Sequence, residues 1–126
     1  MEINSGDTAW VMMSAALVLF MTPGLAIFYA GMVRVKSVLN MIMMSFAAMG
    51  VVSILWVMYG YSLTFGPDTG AGVIGGLSEV GLSGVPGTTV GTVGHQIPTL
   101  AFVMFEMTFA IITVALLSGA IADRAK

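Results

Sequence analysis

The stretch PTLAFVMFEMTFAIITVALLSGAIA, Pro98 to Ala122, decides how the chain is read. Glu106 is its only charged residue, and it stands between Phe105 and Phe109. A helix needs about 20 apolar residues to cross a bilayer core, and this run is long enough. Two other stretches behave alike: Thr8 to Met32 (TAWVMMSAALVLFMTPGLAIFYAGM) and Val38 to Phe65 (VLNMIMMSFAAMGVVSILWVMYGYSLTF). In all of them apolar residues wrap round the helix instead of forming one stripe, as in membrane spans. The expected fold is an all-α membrane protein with three transmembrane helices, in a multi-pass arrangement in the cell membrane.

Composition restricts the function classes. Of 126 residues, 58% are hydrophobic and 8% charged, against about 25% charged in an ordinary soluble domain. So few charges cannot cover a water-facing globule, and the apolar material must face the lipid bilayer or other protein. With no cysteine there is no disulfide frame, thiolate nucleophile or cysteine-ligated metal. The single histidine, His95, argues against a histidine metal site, and no cofactor is expected. A net charge of -2 without a basic cluster gives no reason to expect a nucleic-acid partner. The 12 methionines suit a polarizable packing surface more than a soft-metal site.

The basic residues orient the spans. Arg34 and Lys36 lie between the first two, and Arg124 and Lys126 follow the third. The positive-inside rule makes both places cytoplasmic. The N-terminus, with Glu2 and Asp7, and the second loop, with Asp68 and Glu79, contain acids only and are external. The first span is read as a true span and not a signal peptide, because its basic residues follow it. Asp7 or Thr8 is its expected N-cap, and Pro23–Gly24 should bend it, since proline removes one helical hydrogen bond. The external loop, residues 66–97, is glycine-rich and lacks a phosphate-cradling GxxxxGK[ST] motif. It reads as a surface loop with many turns, with His95 a loop histidine. Asp123 is expected to pair with Arg124 or Lys126, or to cap the end of its helix.

Small residues recur at interface spacing, Ala26 with Ala30 and Ala115 with Gly119, where helices can approach closely in lipid. Three helices alone enclose little, so any route for a solute needs further helices. Glu106 lies roughly 12 Å into its helix from Pro98 at 1.5 Å per residue, in the outer half of the membrane. An ionised carboxylate in mid-bilayer costs about 2.5–3.5 kcal/mol, so Glu106 must face protein or water. Phe102, Phe105 and Phe109 share one stripe, and Glu106 borders it with Phe102, Phe109 and Thr113. Two readings stay open. The carboxyl packs helices, protonated or hydrogen-bonded to a neighbour, or it attracts cations at the outer mouth of a path. The phenylalanines are either core packing or a cation–π surface.

The runs DTAW (7–10), MTPGLAIFYAGMVRVKSVLNM (21–41), ILWVMYGYSLTFG (54–66) and FAIITVALLSGAIADRAK (109–126) resemble the first three helices of the ammonium transporter (Amt/Rh) family. The resemblance covers nearly the whole chain outside the external loop. It implies a homotrimer of longer subunits, each with its own narrow pore for ammonium or ammonia. An external aromatic site recruits the cation, a phenylalanine gate follows, and a histidine-lined hydrophobic pore carries the remainder. By position Phe109 matches the helix-three gate phenylalanine, and Phe105 an aromatic bordering the recruitment site. Phe28 and Tyr29 match first-helix aromatics near the inner part of the pore. Glu106 departs from the pattern, standing where relatives commonly have glutamine.

The resemblance also implies that residues 1–126 are the N-terminal three-helix portion of a transporter domain, which would not transport alone, and no enzyme. Competing readings are a small three-span structural or regulatory membrane subunit and a small membrane lipid kinase. The kinase would need several carboxylates at one interface for Mg-nucleotide, and Asp123 is the only acid on the cytoplasmic side.

Overall fold

The structure is a computed structural model that describes residues 2–122 and 124. Helix α1 (Ser5–Ala30) runs on through Pro23. Its N-cap is Asn4, not Asp7 or Thr8: the Asn4 side chain accepts from the Asp7 amide at 2.9 Å. Asp7 instead lies in the first turn, where its negative charge suits the helix dipole.

A short 3₁₀ turn, Val35–Ser37, leads into helix α2 (Val38–Leu55). A π-helical turn, Trp56–Gly60, then joins helix α3 (Tyr61–Phe65). Together these make one apolar span, Val35–Phe65. The third is helix α4 (Thr99–Ile121). These three spans are long and apolar enough to cross a membrane, and the chain is a multi-pass membrane protein.

The three spans pack against one another in every pairing. Apart from Met41 on α2, small and β-branched residues fill the seams: Ala15, Val18 and Ala26 from α1, Ala48 from α2, and Val103, Ile111, Ile112 and Ala115 from α4. Gly119 has a specific duty. A Cβ placed there would collide with the Tyr29 ring, so the missing side chain lets α1 and α4 meet at their inner ends. The Tyr29 hydroxyl also donates to the Leu116 carbonyl at 3.4 Å. Large apolar side chains such as Trp10, Phe20, Ile27, Phe28 and Leu39 point outward, as a surface facing lipid or further helices must.

The external loop is more ordered than a run of turns. Strand β1 (Thr89–Thr92) pairs antiparallel with strand β2 (His95–Pro98) in the register Thr92↔His95 and Thr89↔Pro98. His95 is therefore a strand residue, and its Nδ1 lies 2.8 Å from Asp7 Oδ2. Pro98 ends β2 and stands just before α4. Earlier in the loop the Asp68 carboxylate accepts from the amides of Gly70 (2.9 Å) and Gly72 (3.0 Å). Ser62 at the end of the second span donates to the Gly76 carbonyl at 2.7 Å and accepts from the Glu79 amide at 3.1 Å. Asp123, expected above to pair with Arg124 or Lys126 or to cap the end of its helix, lies outside the described residues.

Candidate functional site

Helix α4 presents two aromatic faces that differ in their neighbours. Phe102 turns towards the second span and meets Phe65 edge-on, with ring centroids 5.1 Å apart. Phe65 belongs with Trp56 and Tyr61, at 6.2 Å and 5.4 Å. The Trp56 indole donates to the Val103 carbonyl at 3.2 Å, and Val85 and Leu82 from the external loop close over the group. The π turn explains how the group forms. Trp56 and Tyr61 are five residues apart, a spacing that an ordinary α-helix splays. An i→i+5 turn returns them to one side, and their rings meet at 6.0 Å.

Phe105 and Phe109 form a separate pair. Their rings are 5.1 Å apart and nearly perpendicular, at 77°. Such an edge-to-face pair holds each ring in a defined orientation. Phe109 is 41% exposed and Phe105 is half-buried. The aromatic stripe expected from the sequence is thus divided: Phe102 is packed against Phe65, while Phe105 and Phe109 pair with each other. Glu106 lies between them on the helix, half-buried. Among the described residues no hydrogen bond or ion pair reaches its carboxylate. The hydroxyls next along the helix turn inward on their own backbone, Thr108 to the Phe105 carbonyl and Thr113 to the Phe109 carbonyl. They offer Glu106 no partner.

The remaining sequence candidates sit elsewhere. Phe28 and Tyr29 are at the opposite end of α1, with rings 6.0 Å apart. Tyr29 is a packing residue against Gly119. Phe28 is 61% exposed and lines a groove of about 370 Å³ with Met21, Gly24, Leu25, Ile112 and Leu116. Phe105, Glu106 and Phe109 come together as one group, and Phe28 and Tyr29 form another near the inner ends. Sequence reasoning did not single out the Trp56–Tyr61–Phe65–Phe102 cluster. Its signal was the aromatic spacing in WVMYGYSLTF, legible only once a π turn is assumed.

The chain matches the Ammonium Transporter Family over residues 9–126. It belongs to that family. It is 55% identical to the ammonium transporter of Mycobacterium tuberculosis, over 98% of this chain and 28% of the relative. To the ammonium transporter of Bacillus subtilis it is 50% identical, over 97% of this chain and 30% of that protein. To ammonium transporter Amt1 of Archaeoglobus fulgidus it is 46% identical, over 98% and 29%. The chain therefore spans under a third of the length of the curated relatives it matches.

Proposed function

We propose that these residues are the N-terminal three-helix portion of a transporter that moves ammonium or ammonia across the membrane as a homotrimer. In this reading Phe109 is a gate residue and Phe105 borders the external recruitment site. Glu106 supports cation recruitment between them, and Phe28 and Tyr29 stand near the inner part of the path. The observation that carries the reading is Glu106. It is a half-buried carboxylate inside an apolar span with no partner among the described residues, flanked by an orthogonal phenylalanine pair. An aromatic face attracts ammonium-like cations in place of their water, and a nearby carboxylate raises the local cation concentration. A group of this kind in a membrane faces a protein interior or a wet path. The open side of Phe109 agrees with that.

Uptake of a labelled methylated ammonium by the intact protein in a transport-deficient cell tests it. A cation–π contact is worth about 0.5–2 kcal/mol. Phe105→Ala should therefore raise the half-saturating concentration about two- to thirtyfold, and Phe109→Ala should change the maximal rate. Uptake unaltered in both variants removes these rings from the path. Cross-linking in membranes reads the assembly state, and a predominantly monomeric pattern counts against the trimer.

A further inference from the structure

Helix α4 carries the candidate site but has no side-chain cap of its own. Pro98 stands at its N-cap position and supplies no capping hydrogen bond. Its outer end is held by the loop instead. The Thr99 amide donates to the Thr88 carbonyl at 3.0 Å, and the Thr88 hydroxyl donates to the Thr99 hydroxyl at 2.7 Å. Thr88 immediately precedes β1, and β2 runs directly into α4. The position of this end of α4 thus depends on the hairpin. A lone two-stranded hairpin is only marginally stable in water, so it needs something to hold it.

The N-terminal segment supplies that hold. The Asn4 amide donates to the Gln96 carbonyl at 2.8 Å, and Asn4 Nδ2 donates to the Gly94 carbonyl at 3.0 Å. The same residue caps α1. Its Oδ1 accepts from the Asp7 amide at 2.9 Å, and its carbonyl accepts from the Thr8 amide at 3.0 Å and hydroxyl at 2.8 Å. One turn along, Asp7 reaches His95. Gln96, Ile97 and Thr99 are buried beneath these contacts. Hydrogen bonds therefore run without a gap from the start of α1, through the hairpin, to the first turn of α4.

We infer that residues 4–7 are a strap that fixes the outer end of α4, with Asn4 as a positioning residue for the Phe105–Glu106–Phe109 group. Asn4 suits the task because its amide does two jobs at once. The oxygen caps one helix, and the nitrogen ties down the hairpin that leads to another. The Asp7–His95 pair is a lesser tie. Both side chains are exposed, at 41% and 71%, and exposed ion pairs contribute little.

Two substitutions separate strap from cap. Asn4→Ala removes both functions, whereas Asn4→Asp keeps an oxygen for the cap and loses the Nδ2 donor. Hydrogen exchange is followed by mass spectrometry on the intact protein in lipid nanodiscs. Losing one net hydrogen bond from a local opening speeds exchange about fivefold. Both variants should show that rise in peptides covering residues 94–104, and only Asn4→Ala should show it in residues 5–10. Wild-type exchange across residues 99–104 in both variants overturns the strap. A rise confined to residues 5–10 overturns it as well, because Asn4 is then only a cap. The link to the site rests on the transport reading above, and uptake measured in parallel separates the two. A rise in residues 99–104 with unaltered half-saturation keeps the strap and counts against the site.

Discussion

Phe102 and the Phe105–Phe109 pair are phenylalanines within two turns of each other on α4, yet the two aromatic groups they belong to stand in opposite conditions. The Phe102 group has an indole hydrogen bond, four ring contacts and a loop folded over it. The Phe105–Phe109 group has one ring contact, a carboxylate without a partner among the described residues, and an open side. A phenylalanine is therefore neither structural nor functional by type. What decides is whether its neighbourhood within the chain is complete. The first group is closed within the described residues, and the second keeps an open side.

That contrast can be broken by mutation. The largest effect should come from Trp56→Ala, which empties the middle of the closed group and removes the indole hydrogen bond to the Val103 carbonyl. Removing a buried large aromatic side chain costs about 3–5 kcal/mol, to be measured by denaturant unfolding in mixed micelles. A loss as small as that of an exposed position would mean the group is not a core. Next comes Gly119→Val, which drives a side chain into the Tyr29 ring. Overpacking of this kind costs about 1–3 kcal/mol, and Tyr29→Ala in the same chain should recover part of it. A double-mutant cycle with no coupling would remove the contact from the account.

Smaller effects are expected in the open group. Phe109→Ala should lower stability by under about 1 kcal/mol, since a half-exposed ring leaves no sealed cavity, while it alters transport. A stability loss equal to that of Trp56→Ala would erase the distinction between the groups. The smallest is Glu106→Gln, within about 0.5 kcal/mol in stability because no partner is lost. Its readout is ammonium affinity and the pH dependence of uptake. If both match the parent protein, the carboxylate has no part in recruiting a cation.

Much of the architecture, the three spans above all, could be read from apolar run length. The Ala115/Gly119 spacing correctly marked the α1–α4 seam, because a close helix approach needs small residues and leaves them in the sequence. The start of α1 was not legible. Asn4, Ser5, Asp7 and Thr8 can all cap a helix, and contacts with residues 90 or more positions away decide between them. The hairpin was hidden for a related reason. TVGTVGHQIP is rich in β-branched residues but has no aromatic residue, and its two glycines and closing proline signal turns more strongly than pairing. At the site, the residue types pointed to Phe105, Glu106 and Phe109 as a group. That Phe102 leaves their stripe for Phe65 depends on a π turn in another helix, which no periodicity on α4 encodes.

The Tyr29–Gly119 contact also has a consequence for biosynthesis. Tyr29 and its carbonyl acceptor Leu116 are 87 residues apart. A ribosome adding roughly 5–20 residues per second takes on the order of 4–17 s to travel that distance. Over that interval the first helix is already in the bilayer, while the seam that will receive the fourth has no occupant. Its small residues, Ala15 and Ala26, leave a shallow notch that lipid chains can fill and vacate at little cost. Closure of this pair thus waits for translation of the second span and the external loop, and lengthening that loop would delay it without altering a single contact in the pair.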